Sequence, residues 1–134
     1  MAWTAPSGHV WAVGEVLTAA NLNTYSANNL SFLYGDTVWT APTFTNSWVN
    51  FAGGFQVAGF RLIGTRVYLR GLVNSGTSNT SIFTLPAGYR PTAAEIFIID
   101  FNLTAGELRI ATTGTVVPNL TGYVSLTGIN FDTI

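Results

Sequence analysis

From Val38 onward, apolar and polar positions alternate with a period of two, in short runs separated by glycine. Val38-Trp39-Thr40 is a brief strand ended by Pro42, and Ser47 to Phe51 reads Ser-Trp-Val-Asn-Phe. Gly53-Gly54 marks a turn or bulge before a run from Val57 to Ile63. Gly64-Thr65 then predicts a two-residue hairpin turn that starts on glycine. In the strand that follows, Val67, Leu69, Gly71 and Val73 share one face, and Arg66, Tyr68, Arg70 and Leu72 the other. A polar loop covers Asn74 to Thr80, Ser81–Leu85 is a strand, and Pro86–Pro91 is a proline-bracketed turn. Ala94 to Leu103 is nearly all apolar, which predicts a strand buried on both faces. Its Ile96, Ile98 and Asp100 point one way and Phe97, Ile99 and Phe101 the other. Gly106, Gly114 and Gly122 read as turns leading into Glu107–Thr112, Thr115–Val117 and Tyr123–Phe131. About eight or nine short strands at this spacing predict a mainly β fold, an antiparallel jelly-roll-like β-sandwich over residues 36–134.

The first 35 residues follow a different pattern. Trp3, Pro6, Gly8, Trp11 and Gly14 punctuate an extended arm with aromatic anchors. The arm either folds back on its own domain or docks on a neighbouring subunit or another protein. Thr18 is suited to cap a helix, because its hydroxyl can accept a first-turn amide. Leu22, Tyr25, Asn29 and Phe32 recur at steps of three and four, which places them on one helical face, and Gly35 supplies a stop. A helix this short and Asn-rich is marginal alone and needs a partner. It packs on the β-domain, or it bundles with symmetry mates with Asn29 fixing register. The expected organisation is an attachment and oligomerisation segment, 1–35, ahead of the sandwich.

Composition sharpens this picture. Of 134 residues, 48% are hydrophobic and 8% charged, and the net charge is −1. Ordinary soluble domains carry about 25% charged residues. The chain has no lysine. A surface of Thr, Ser, Asn and Gly gains little solubility from charge, so burial of apolar surface between subunits is expected. Five arginines against six acids leave no electrostatic footprint for nucleic acid. No apolar run is long enough to span a membrane. The absence of cysteine excludes disulfides and thiolate chemistry.

The segments NSWVNF, GGF, AGFR, VYLRGLV and FTLPAGYRP, in that order, resemble the C-terminal β-domain of tailed-phage virion proteins: tail-fibre, receptor-binding and minor structural proteins. Independently, MAWTAP and GEVLTAANLNTYSANNLSFL are similar to the short N-terminal segment and helix of the same proteins. The resemblance implies a virion component assembled in the host cytoplasm. It implies a homotrimer with its seam at Leu22, Tyr25, Asn29 and Phe32, and an attachment arm anchored by Trp3 and Trp11. Its partners would be other virion proteins and host-surface polysaccharide, with no cofactor. The ligand-facing loops would carry Ser75, Asn79, Tyr89 and Arg90. A capsid decoration or head-fibre protein is the alternative, since related domains occur there. The four residues Trp3–Pro6 recur as Trp39–Pro42, by chance or through a shared docking preference.

The residues that would carry catalysis are sparse. His9 is the lone histidine, and no Gly-x-Ser-x-Gly elbow is present. Glycoside hydrolysis needs two carboxylates held across a cleft, and Asp100 and Glu107, which flank the expected Asn102–Gly106 turn, could approach each other as hairpin neighbours. Pairing across strands, or with Arg109 or Arg70, is the simpler role. Arg61, Arg66, Arg70 and Arg90 lie in or beside the family-like motif. Arg90, between Tyr89 and Pro91, either grips a sugar or acidic group or caps local carbonyls to fix its turn. The expected protein is therefore an adhesive or assembly component without catalytic machinery.

Overall fold

The structure is a computed structural model, and it describes residues 14, 16, 18–20, 22, 23, 27, 38–101 and 104–134. Of the expected arm and helix, Trp3, Trp11, Tyr25, Asn29 and Phe32 lie outside these residues. Leu22 is described: its amide donates to the Thr18 carbonyl at 3.0 Å, the i to i−4 pattern of a first helical turn, and its side chain is exposed.

The described residues form ten strands: β1 Val49–Asn50, β2 Gly59–Ile63, β3 Arg66–Arg70, β4 Leu72–Asn74, β5 Phe83–Thr84, β6 Glu95–Phe101, β7 Thr104–Ile110, β8 Thr115–Pro118, β9 Val124–Ser125 and β10 Asn130–Asp132. All pairings between them are antiparallel. They form sheets ordered β1-β4-β9, β10-β3-β2 and β5-β8-β7-β6. In the last, three hairpin-linked strands are joined by β5, which returns beside β8, the order of a Greek key.

The two three-stranded sheets are halves of one bent sheet. The expected single strand from Arg66 to Val73 is interrupted at Gly71, with β3 in one half and β4 in the other. Gly71 has φ +104°, and a Cβ there would lie 2.4 Å from the Ala58 nitrogen. Only glycine fits a backbone that turns here while another strand presses against it. The opposite strand carries one extra residue: six steps from Val124 to Asn130 face five from Val73 to Tyr68. This is a β-bulge. It is closed by Leu126 N–H to Gly71 O at 2.8 Å and Gly71 N–H to Thr127 Oγ1 at 3.1 Å.

Alternation decides the rest. Val67, Leu69 and Val73 are fully or almost fully buried, as their shared face predicts. The core also takes Trp48, Phe60, Val124, Leu126 and Phe131 from the bent sheet. Phe83, Leu108, Ile110 and Val116 come from the four-stranded sheet. Each such side chain contributes about 1.5–3 kcal/mol by leaving water. Gly64, at φ +60°, starts the β2–β3 hairpin, which pairs Ile63 with Arg66.

Two expectations are corrected. The β6 strand is not buried on both faces: Ile96 and Ile98 are 59% and 81% exposed, while Ile99 is 8% exposed. The four-stranded sheet covers the core with one face only, and β6 is its edge. Gly106 is not a turn. It sits inside β7 opposite Ile99, and the β6–β7 pairing runs on to Phe101 and Thr104. Its missing side chain admits Leu120, whose Cγ would lie 2.3 Å from a Cβ at Gly106.

The bend makes a direct prediction. Gly71→Ala is expected to lower unfolding stability by about 2–4 kcal/mol, combining positive-φ strain with a clash against backbone. Gly88→Ala, at φ +90° but with open space around it, is expected to cost about 1 kcal/mol. Urea titrations of the two variants check the difference, and equal midpoints would refute the role of the close approach.

Candidate functional site

Two regions gather the side chains suited to recognition. The first is a group of end loops around Trp48. Thr45, Asn46, Ser47 and Trp48 make a tight turn, with Asn46 at φ +52°, Ser47 at φ +66° and a Trp48 N–H to Thr45 O bond of 3.1 Å. Positive φ at both central residues is the primed geometry, and it strains serine. The turn is pinned by Asn46 Nδ2 and Thr45 Oγ1, which donate to Ser81 O at 2.9 and 2.7 Å.

Trp48 is 1% exposed and lies against Gly76, where a Cβ would come 2.0 Å from its ring. Its Nε1–H donates to Thr80 Oγ1 at 3.2 Å. The loop after β4 is thereby stapled to the core. Ser75 and Asn79 are held at φ +69° and +61°, exposed and close in sequence to the staple. Asn79 N–H donates to Pro118 O at 2.8 Å, and Ser78 Oγ to Asn119 O at 2.8 Å. Strained non-glycine residues persist only where surrounding contacts over-determine them. Among the described residues all four such positions, Asn46, Ser47, Ser75 and Asn79, belong to these two neighbouring loops.

Tyr89 and Arg90 occupy a separate turn. The Tyr89 ring meets Phe60 edge-on at 5.0 Å, and Arg90 Nε–H donates to Leu85 O at 2.9 Å. Both side chains are thus engaged with the domain itself. The structure does not bring them into the loop pair of Ser75 and Asn79. Asp100 and Glu107 are exposed on the outer face of β6 and β7, opposite Ala105 and Ile98, with Arg109 on the same face. Among the described residues no group of three His, Asp or Glu could hold a metal ion. Among them, too, no helix is long and apolar enough to cross a membrane.

The second region is the outer face of β2, β3 and β10. Cross-strand register lines up Gly59 with Arg70, Arg61 with Tyr68, Tyr68 with Asn130, and Arg66 with Asp132. Trp39 lies over this face, fixed by reciprocal Thr40 and Phe60 backbone bonds of 2.9 and 3.0 Å. The Arg61 and Arg70 guanidinium carbons stand 4.5 and 4.3 Å from the Trp39 ring centroid, and Arg61 is 5.7 Å from that of Tyr68. A Cβ on Gly59 would sit 3.2 Å from Arg70 Nε and 3.5 Å from the indole, so glycine lets the stack settle on the sheet. Arg66 reaches Asp132 at 3.9 Å, both about half exposed, a pair of little energetic weight.

Sequence reasoning placed Arg66, Tyr68 and Arg70 on one face. It missed Trp39, whose contact depends on a bridge between residues twenty positions apart. The second Trp-Thr-Ala-Pro was the available signal.

The fold is similar to that of one solved phage receptor binding protein. The chain's backbone is similar to the crystal structure of the receptor binding protein (gp15) of Listeria phage PSA, with a TM-score of 0.59 and 18% identity. The match covers 94% of this chain and 89% of that one. No protein family and no curated protein matches the sequence.

The stapled loop gives a second prediction. Gly76→Ala is expected to displace the Trp48 ring and cost about 1–3 kcal/mol through overpacking. Chemical denaturation followed by tryptophan fluorescence measures it; unchanged stability would mean that Trp48 does not hold the loop.

Proposed function

We propose that this chain is a non-enzymatic adhesive component of a tailed-phage virion, a trimeric tail-fibre or tip protein that holds a host-surface glycan. The carrying observation is the likeness to a phage receptor binding protein across nearly the full length of both chains. Residues 1–35 attach and oligomerise, with Trp3 and Trp11 as anchors and Leu22, Tyr25, Asn29 and Phe32 as the seam. Residues 36–134 form a jelly-roll-like sandwich that presents the recognition surface. Exposed Ser75 and Asn79, on loops braced by Trp48, offer hydrogen-bonding groups at low ordering cost. Tyr89 and Arg90 contribute by holding their own turn in place. Threefold avidity compensates for weak single sites.

Light scattering of the full chain and of a chain beginning at Asp36 tests the assembly. The shorter chain keeps every core residue among those described, which lie between Trp48 and Phe131. The expected result is a trimer that falls to monomer on truncation. A trimer in both would move the seam to the β-domain, where Ile96 and Ile98 are exposed. A monomer in both would overturn the trimer. Binding of labelled full chain to bacterial cells and to a glycan panel tests adhesion, and binding to purified capsids alone would make it a decoration protein.

A further inference from the structure

We propose that Trp39, Arg61, Tyr68 and Arg70 form a binding site for the anionic group, phosphate or carboxylate, of an acidic saccharide. The inference rests on the adhesive reading and gives it a ligand class. It starts from an imbalance of charge. Arg61 and Arg70 both place their guanidinium on the Trp39 ring. The Nε atoms of both are buried and have no hydrogen-bond partner among the described residues. Among the described residues neither pairs with a carboxylate, and the acid on this face, Asp132, is engaged by Arg66.

Two like charges gathered on one ring repel each other. Buried donors without acceptors carry a desolvation cost that the indole quadrupole only partly offsets. A structural arginine in a nearly uncharged chain normally ends on a carbonyl or carboxylate, as Arg90 does on Leu85 O. This pair does not. An oxyanion near both guanidiniums would relieve the repulsion and accept from their Nη–H groups, with the charge-assisted hydrogen bonds that arginine offers to phosphate and carboxylate.

The surroundings favour a sugar as the carrier of that anion. Tyr68 lies beside Arg61 as a half-buried ring, and flat aromatic and guanidinium surfaces suit the apolar face of a pyranose. The chain has five arginines and no lysine, which leaves no extended basic track for a nucleic-acid backbone. The site is built on strands and fixed by the Thr40–Phe60 bridge, so it is preorganised.

The test uses the full chain and follows the Trp39 indole N–H resonance, assigned as the signal missing from Trp39→Phe. Inorganic phosphate, glucuronate and neutral glucose are the probes, with an acidic peptide as a competing class. Phosphate or glucuronate is expected to shift the resonance saturably, the responding anion distinguishing a phosphorylated from a uronic-acid polymer. Glucose is expected to have no effect. Arg61→Gln and Arg70→Gln, made singly, should weaken anion binding at least tenfold while retaining or raising the melting temperature. Arg66→Gln, outside the stack, should leave binding unchanged. Equal anion responses in wild type and both arginine variants, or none in wild type, would overturn the site. Tighter binding of the acidic peptide would overturn the saccharide assignment. If both single variants still adhere to cells as wild type does, this site is wrong and adhesion stands. Anion binding without cell adhesion overturns the adhesive reading alone.

Discussion

The architecture depends on the close approach of Gly71 to Ala58. A strand of nine residues, Arg66 to Asn74, has to serve two half-sheets that face in different directions. A backbone that bends while it remains packed needs a residue with no side chain at the bend and a partner strand with one residue to spare. Gly71 supplies the first and the Leu126–Ile129 bulge the second. The bend lets inward residues on both halves, Val67 and Leu69 on one and Val73 on the other, reach the same core.

The inner face of the bent sheet is wholly apolar, whereas the outer face concentrates unbalanced charge on aromatic surface. Such clusters subtract from stability, and in proteins they concentrate at functional sites. The two candidate regions use different physics. The Trp48 loops hold strained backbone in place through packing. The Trp39 face holds unsatisfied guanidiniums in place through strands. Both are rigid before any ligand arrives, which limits the entropy lost on binding.

Much of the fold could be read from alternation. The Gly64-Thr65 hairpin and the buried trio Val67, Leu69 and Val73 follow from period-two patterning next to a glycine-first turn. The bend at Gly71 did not, because a glycine inside an alternating run preserves the pattern while changing the direction. Gly106 misled for a related reason: glycine marks either a turn or a place where another side chain must enter, and Leu120 lies fourteen positions away. Ile96 and Ile98 read as core because hydropathy records what a residue prefers, not whether its own chain supplies the cover. The arginine face was half legible. Strand periodicity aligned Arg66, Tyr68 and Arg70, but Trp39 joins them through a bridge twenty positions long, and its one mark in the sequence is the repeated Trp-Thr-Ala-Pro.

The shared strand also separates architecture from variation. Between Asn50 and Gly59 the chain spends eight residues, 51–58, where the partner strand spends two, Gly71 and Leu72. This excursion holds the Gly53-Gly54 pair and an aromatic cluster in which Phe51 meets Phe55 at 5.2 Å and Tyr123 at 4.6 Å. Each half-sheet takes its register from the partner strand, not from the length of the excursion. Phe51 and Gln56 bond back to Leu72, and Ala58 packs on Gly71, so the tip between them, residues 52–55, is the part that can gain, lose or exchange residues with small entropic consequence. In a lineage under pressure to change what it touches, this is where new sequence can be written without renegotiating the fold.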